Sequence, residues 1–161
     1  TFEVEKIKKI LKNINKLSLR KSQALRKEKI GKAASEIAKL NFVRFFINSQ
    51  QRLATKTPNI KKGFVIDGRD IGSVVFKSAI LKLYVDVDVN IRAKRRYKQL
   101  IDKGEKSIYL KILKDMKLRD KTDKTRKNSP LVVPRGAKII NNSHAFRNTI
   151  AQIRNIIEGI N

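Results

Sequence analysis

One stretch constrains the fold more than any other, namely the run Gly63-Phe-Val-Ile-Asp-Gly-Arg-Asp-Ile-Gly-Ser-Val-Val-Phe76. Its first four residues are apolar or glycine, and they lead directly into the charged segment Asp67-Gly-Arg-Asp70. This pattern predicts a short buried strand that runs into a glycine-flanked turn carrying two carboxylates and one guanidinium. Ligands of an open parallel sheet bind beyond the carboxyl ends of its strands, so charges in that position predict a functional site.

The residue types in this turn suit an anionic ligand. Arg69 would offer a phosphate two parallel charge-assisted hydrogen bonds, because the guanidinium is planar and forked. Gly68 and Gly72 would allow a close backbone approach or a positive φ. An Arg–Asp ion pair that only ties down a loop is an equally good interpretation of these residues taken alone.

The first thirty residues leave two structures open. Apolar residues recur there at near-helical spacing, which predicts an amphipathic helix containing Val4, Ile7, Ile10, Leu11, Ile14 and Leu17. Short strands with Asn13 and Asn15 in a turn are the alternative.

Further along, helical and strand patterns alternate. The spacing predicts one or two helices from Ile30, broken or bent near Asn41 and ending before Pro58. The later elements, in order, are a strand over 81–85, a helix over 91–102 capped by Asp88 or Asn90 and stopped by Gly104, a helix over 107–121, a loop over 122–137, a strand over 138–141 and a last amphipathic helix. Alternating strands and helices predict an α/β fold with a parallel sheet.

Composition excludes some chemistries and favours others. The chain has 161 residues, no cysteine and a single histidine, His144, which argues against a thiol nucleophile or a zinc site. Its 39 Lys+Arg against 14 Asp+Glu give a net charge of +25, which favours polyanionic partners such as nucleotides or nucleic acid. We find no signal peptide and no long apolar run, so we expect a soluble, cytoplasmic protein with no membrane partner.

Two groups of arginines have helical spacing. Arg92, Arg95 and Arg96 lie three and four residues apart, so they would share one helix face, which is either a site or a solvated surface. Arg119, Asp123 and Arg126 would form a stripe of cation, anion and cation if the helix extends that far. Arginines from separate segments suit phosphoryl transfer, in which positioning and charge neutralisation carry the catalysis.

Taken together, the motifs resemble those of the bacterial cytidylate kinases over about residues 25–158. The matching segments are Asp67-Gly-Arg-Asp-Ile-Gly-Ser-Val-Val-Phe76, Arg92-Ala-Lys-Arg-Arg-Tyr-Lys-Gln-Leu100 with Lys103-Gly104, Arg119-Asp-x-x-Asp123-x-x-Arg126, Pro130-Leu with Pro134, and Ala33-Ala-Ser-Glu-Ile-Ala38 with Arg44. The resemblance implies a P-loop nucleoside monophosphate kinase, with a parallel sheet flanked by helices. Such an enzyme transfers the γ-phosphate of ATP to CMP or dCMP with Mg²⁺.

The resemblance also implies residue roles at the acceptor nucleotide. Ser35, Arg44 and Asp70 match positions that hold the cytosine end, and Arg126 reaches the same nucleotide. Arg69 matches the arginine that grips the acceptor phosphate. These roles agree with the chemistry, since a carboxylate accepts from the exocyclic amine of cytosine, and serine and arginine serve its ring nitrogen and carbonyl.

Other residues match positions near the sugar, the phosphates and the donor. Arg119 and Asp123 match positions around the sugar and phosphates of the acceptor, and the resemblance implies that Arg69, Arg119 and Arg126 take part in catalysis. The basic helix and lid beside the donor phosphates would contain Arg92, Arg95 and Arg96. Asp67 would lie near the water shell of the metal, no residue is predicted to bind the metal directly, and His144 has no predicted role.

The chain departs from the family pattern in one major respect, because it contains no G-x-x-x-x-G-K-[ST] phosphate loop. Gly31-Lys32 lies in a helical segment and is followed by Ala33. We therefore expect an incomplete copy of the kinase, lacking the first strand and phosphate loop and inactive alone. A split protein, a degenerate relic and a basic nucleic-acid-binding module are the alternatives. Smaller departures are Thr122 and Asn141.

The expected organisation follows from the resemblance. Residues 1–30 would be the remainder of the acceptor-binding insert, which favours strands there, and residues 31–161 would be the α/β kinase core with a basic lid around 92–130. We expect a monomer whose partners are ATP and CMP or dCMP. Nucleic acid is not the favoured partner, since the aromatic residues occupy core-like positions and no stacking motif for single strands is present.

Overall fold

The computed structural model describes residues 3–13, 28–56 and 63–160. The chain forms two compact units, Thr1–Val65 and Ile66–Asn161, and each is described by itself. The functional division predicted at residue 30 remains a prediction.

The first unit is helical in its described part. Its helices are α1 (Val4–Lys12), α2 (Glu28–Ile37) and α3 (Asn41–Ala54). Helix α1 buries Ile7 and ends at Asn13, whose backbone N–H donates to the carbonyl of Ile10 at 3.0 Å. For residues 4–12 the predicted helix is therefore confirmed, and the alternative prediction of short strands is wrong. Ile14, Asn15 and Leu17 lie outside the described residues.

Helices α2 and α3 confirm the predicted break near Asn41. The intervening turn is closed by the backbone N–H groups of Lys39 and Leu40, which donate to Glu36 and Ile37 at 3.1 and 3.0 Å. Helix α3 buries Val43 and ends at Ala54. The predicted helix limit at Pro58 lies outside the described residues.

The second unit has an α/β arrangement. Its elements are a π-helical turn (Ile71–Val75), β1 (Leu83–Asp86), α4 (Val89–Ile101), α5 (Tyr109–Thr125), β2 (Lys138–Asn141) and α6 (Phe146–Glu158). Strands β1 and β2 pair in parallel, with Leu83 opposite Lys138 and Asp86 opposite Asn141. The predicted α/β class and both of these strands are confirmed.

The strand predicted just before the charged turn is wrong. Residues 63–68 adopt no strand, and Phe64 and Val65 are exposed. A strand is stabilised by hydrogen bonds to a neighbouring strand, and no strand of the described residues pairs with this one. The apolar run therefore belongs to no sheet of the described residues.

Local signals set the limits of α4. The Asp88 carboxylate accepts from the backbone N–H groups of Asn90 and Ile91 at 2.8 and 3.2 Å, which satisfies two free donors of the first turn. Gly104, with φ 74°, lies just beyond the last turn, where a left-handed residue ends a helix at little steric cost. The predicted cap and stop are confirmed.

Helices α4 and α5 pack against each other and form the part of the unit that carries most arginines of interest. Ala93 and Leu100 of α4 are buried, and the Tyr97 and Tyr109 rings meet edge to face with centroids 6.2 Å apart. Helix α5 continues to Thr125, so it includes Asp123. In the part of the chain that the structure describes, no helix has the length and apolar character needed to cross a membrane.

Candidate active site

The last turn of α5 carries a buried carboxylate between two guanidinium groups. The Asp123 side chain is 4% exposed, and its Oδ2 atom meets Nε of Arg69 in an ion pair. That contact lacks the alignment of a hydrogen bond, since Oδ2 has no such partner within the described residues. Its Oδ1 atom accepts from Nη1 of Arg126 at 3.3 Å. A buried charge requires this pairing, because desolvation of an isolated carboxylate is very costly.

The loop that follows α5 fixes Arg126. Its Nε atom donates to the carbonyl of Ser129 at 2.6 Å, and the Leu131 N–H donates to the Asp123 carbonyl at 2.7 Å. Ser129 has φ 52°, an uncommon conformation for a residue other than glycine. The loop therefore folds back on the helix end and holds a guanidinium that is only 15% exposed.

Arg69 reaches Asp123 from a distant part of the sequence, immediately before a π-helical turn. The Asp70 carbonyl accepts from both Val74 N and Val75 N, at 2.9 and 3.3 Å, and Phe76 N donates to Ile71 O at 2.7 Å. Single π-turns are rare and are frequent at functional sites. Asp70 itself is buried, at 6% exposure. The turn thus gives Arg69 and Asp70 a fixed backbone.

The electrostatics of this cluster favour an anion. Two guanidinium groups, from Arg69 and Arg126, meet the one carboxylate of Asp123. The Arg69 side chain is 41% exposed, so part of its donor set remains open to a ligand from solvent. Arginine forks match phosphate oxygens in geometry and charge. We name Arg69, Asp123 and Arg126 the Asp123 cluster.

Arg119 and Asp67, which were also predicted to serve the site, and His144, which was given no role, are all exposed in this unit. Arg119 is exposed on α5, one helical turn before Asp123. Asp67 is exposed in the segment before the π-turn. His144 is exposed, and its backbone carbonyl accepts from Nη2 of Arg95 at 3.1 Å.

The three arginines of α4 have separate partners. Arg92 donates through Nη1 and Nη2 to the two carboxylate oxygens of Asp120, at 3.0 and 2.5 Å, and through Nε to the Val87 carbonyl at 3.1 Å. Arg96 donates to the Gln99 amide oxygen at 2.6 Å. The pKa of Arg92 is raised, chiefly by its hydrogen bond to Asp120. Their expected convergence on donor phosphates stays a prediction.

Ser35 and Arg44 belong to the first unit. Ser35 is half-buried in α2, and Arg44 is half-buried in the first turns of α3. Their predicted contact with cytosine remains a prediction.

The carboxyl ends of the two strands carry a second polar group of residues. Asn142 N donates to Asp86 O at 2.9 Å, and the Asn141 side chain accepts from Ser143 N at 2.8 Å. The Gln152 amide accepts from the backbone N–H of Asn141 and donates to its carbonyl, at 3.0 and 2.9 Å. Asn141, which departs from the family pattern, therefore helps to close the turn after β2.

Comparison with known proteins decides the family. The sequence profile of the family described as cytidylate kinase matches residues 5–160. The chain belongs to the cytidylate kinase family.

Curated cytidylate kinases show the same relation and its extent. The protein of Phocaeicola vulgatus is 44% identical over 121 residues, which cover 75% of this chain and 51% of that protein. The protein of Bartonella bacilliformis is 40% identical over 127 residues, covering 79% and 58%. The protein of Rickettsia akari is 41% identical over 136 residues, which cover 83% of this chain and 60% of that protein. The chain spans about half the length of the curated relatives it matches.

Some residues of this family member were not predicted from the sequence to serve the site. Asp120 pairs with Arg92, Ser129 accepts from Arg126, and Lys82 donates to two loop carbonyls. Lys82 did have a sequence signal, because it interrupts the apolar run Leu81-Lys-Leu83 at the start of β1. The π-helical turn could not be predicted from the sequence, because no regular spacing of apolar residues marks it.

Proposed function

We propose that this chain supplies the acceptor-binding and lid parts of an enzyme that transfers the γ-phosphate of ATP to CMP or dCMP. The observation that carries the proposal is the meeting of Arg69 and Arg126, from separate segments, on the buried Asp123. Family membership supports a kinase of nucleotides, and the cluster supplies a suitable grip for an acceptor phosphate.

The cluster would act by positioning. In phosphoryl transfer the acceptor phosphate is already a competent nucleophile, so alignment and neutralisation of charge lower the barrier, and no strong general base is needed. Asp123 orients Arg69 and Arg126, which would hold the acceptor phosphate and offset its charge as the donor approaches. Arg119, one turn away on α5, would add a third cation on the same side of the helix.

Recognition of cytosine would fall to other residues. The buried Asp70 carboxylate would accept from the exocyclic amine of cytosine, since such a contact distinguishes cytosine from uracil. Ser35 and Arg44 would serve the ring nitrogen and carbonyl, as the resemblance implies. Arg92, Arg95 and Arg96 are assigned by the same resemblance to the donor side.

The kinase family implies the use of ATP and Mg²⁺ in general. Magnesium would neutralise charge on the transferred phosphates. In the described ranges no group of three or more acidic or histidine side chains could hold a metal ion. These residues do not fit a metal site of their own, so no step is assigned to the metal.

The proposal can be tested by comparing CMP with cytidine. Binding of both to the 161-residue chain would be measured by titration calorimetry, for the wild type and for Arg69→Ala. Loss of a charge-assisted contact to phosphate removes about 1.5–3 kcal/mol. We therefore expect Arg69→Ala to weaken CMP binding about tenfold to a hundredfold and to leave cytidine binding unchanged.

Arg154→Ala is the matched control, because Arg154 is exposed on α6 and the variant removes the same charge. Equal loss of CMP affinity in both variants would contradict the proposal and would indicate a general effect of charge. Binding to nucleic acid that falls steeply with salt and ignores Arg69→Ala would support the nucleic-acid alternative. Because these 161 residues contain no phosphate loop, we expect ATP turnover at background level.

A further inference from the structure

The two segments that carry the arginines of the Asp123 cluster meet again at Lys82. Nζ of Lys82 donates to the carbonyl of Lys77, just after the π-turn, at 2.7 Å. The same nitrogen donates to the carbonyl of Arg135, in the loop beyond Arg126, at 2.9 Å. One side chain thus joins the segment that follows Arg69 to the segment that follows Arg126.

The acceptors of this lysine are informative. Both are backbone carbonyls, so within these contacts no carboxylate neutralises the ammonium charge. Ordering a lysine side chain costs rotamer entropy, which the two hydrogen bonds must offset. Lys82 is half-buried and has two acceptors from different loops. The lysine side chain therefore connects two backbone segments, at Lys77 and at Arg135, by hydrogen bonds.

The same two segments also pack closely against each other. A methyl group at Gly72 would lie 3.0 Å from Cγ of Pro134 and 3.3 Å from Cγ and Cδ of Lys82. The ring of proline is rigid, so a side chain at this position would force the π-turn and the loop apart. Glycine therefore lets the π-turn rest directly on Pro134 and on the Lys82 stem.

Short rigid connections link this contact to the arginines. Gly72 lies within the π-turn whose first hydrogen bonds start at the Asp70 carbonyl, next to Arg69. On the other side, Leu131 is bonded to the Asp123 carbonyl and Ser129 to Arg126. Only a few hydrogen-bonded residues therefore separate Lys82 and Gly72 from both arginines.

We infer that Lys82 is a positioning residue, which together with the Gly72–Pro134 contact fixes the separation between the Arg69 and Arg126 guanidinium groups. The inference rests on the proposed function, because that separation matters only if the two arginines grip one phosphate. Lys82 itself would not touch the nucleotide.

The test is Lys82→Met, which keeps a long apolar stem and removes the ammonium group. Lys77→Met is the matched control, since Lys77 is exposed and its backbone carbonyl is unaffected by the change. The first measurement is hydrogen exchange without ligand. With a lost bond worth about 1 kcal/mol, Lys82→Met should speed exchange about fivefold at Val74, Val75, Phe76 and Leu131, but not in α6.

The second measurement is the ratio of CMP to cytidine affinity. We expect Lys82→Met to lower this ratio about tenfold, because CMP binds more weakly while cytidine affinity is unchanged. Lys77→Met should leave the ratio unchanged, and Lys82→Arg should keep part of the wild-type ratio. A merely structural lysine would lower the free energy of unfolding and leave this ratio intact. Unchanged exchange together with an unchanged ratio would overturn the inference.

The outcomes separate the two proposals. If wild-type protein binds CMP no better than cytidine, the proposed function fails, and the exchange data still show whether Lys82 couples the segments. If Lys82→Met does not fold, Gly72→Ala replaces it, with Gly159→Ala as control, where a methyl group meets only ordinary contacts at 3.5 Å. An unchanged CMP to cytidine ratio in Gly72→Ala would then overturn the inference.

Discussion

Helix α5 carries two aspartates that bind arginine, and they differ in their burial and in the number of arginines that they meet. Asp123 is 4% exposed and meets two guanidinium groups. Asp120, three residues earlier, is 28% exposed and forms a bidentate pair with Arg92. The first aspartate is therefore buried between two arginines, whereas the second is partly exposed beside one.

The difference shows that what an arginine–aspartate pair contributes depends on how deeply the pair is buried. A half-exposed pair gains little, because water competes for both partners and salt screens them. A buried carboxylate requires its cations, and one of them here, Arg69, is also exposed enough to reach a ligand from solvent. We therefore base the proposed ligand binding on the Asp123 cluster, whereas the Arg92–Asp120 pair connects α4 to α5.

The strongest test of this contrast removes the buried carboxylate. Asp123→Ala would leave two guanidinium groups facing each other without the charge that joins them. We expect a loss in the free energy of unfolding at the lower end of about 3–5 kcal/mol, because Arg69 remains partly hydrated. Urea unfolding measures this loss.

Glu158→Ala is the control for that experiment, since Glu158 is an exposed carboxylate at the end of α6, where the change should stay within about 0.5 kcal/mol. A loss no larger than the control would remove the distinction between the two aspartates. Asp123→Asn would show how much of the loss comes from charge.

A smaller effect is expected at the exposed pair. In a double-mutant cycle of Arg92→Ala and Asp120→Ala, the coupling energy should be about 1 kcal/mol at low salt and should fall as salt is added. A coupling as large as the loss from Asp123→Ala would break the comparison. The raised pKa of Arg92 means that the pair is fully formed below the ordinary arginine range and is lost only as the pH rises through the folded-state pKa.

The smallest effect concerns a fully exposed carboxylate, Asp88, at the start of α4. The backbone N–H of Asn90 lowers the pKa of its carboxyl. A lowered folded-state pKa stabilises the fold above the unfolded value, about 3.9, and this stabilisation disappears as the pH falls through the folded-state pKa. Wild type should therefore lose its advantage over Asp88→Asn in acid, as thermal unfolding at several pH values would show. An advantage that is unchanged in acid would contradict the role of charge at this cap.

Much of the secondary structure could be predicted because its signals are local. The period of apolar residues located α2, α3 and α6, the Asp88 cap and Gly104 bounded α4, and the β2 limits were matched in full. The strand at 63–66 could not be predicted correctly in this way. Its apolar run satisfied the pattern of a strand, but a strand exists only where a partner supplies hydrogen bonds.

The candidate site was predictable in part for the same reason. The spacing of Arg119, Asp123 and Arg126 predicted a stripe on one helix if the helix extended that far, but α5 ends at Thr125 and Arg126 lies just beyond it. The Asp67-Gly-Arg-Asp70 turn was identified as a charged segment. That Arg69 reaches Asp123 depends on packing between distant segments. Spacing also did not give the protein partners of Arg92, Arg95 and Arg96, which differ among the three, and their predicted role beside the donor phosphates stays a prediction.

By itself, the sequence determined the family, the positive charge and the positions of most helices, because these follow from motif order, composition and short-range spacing. Only the tertiary structure decided which arginine meets which aspartate, and that Lys82 joins two loops behind them. The physical reason is that burial and long-range contacts set the value of each charge, and neither is encoded in the spacing of neighbouring residues.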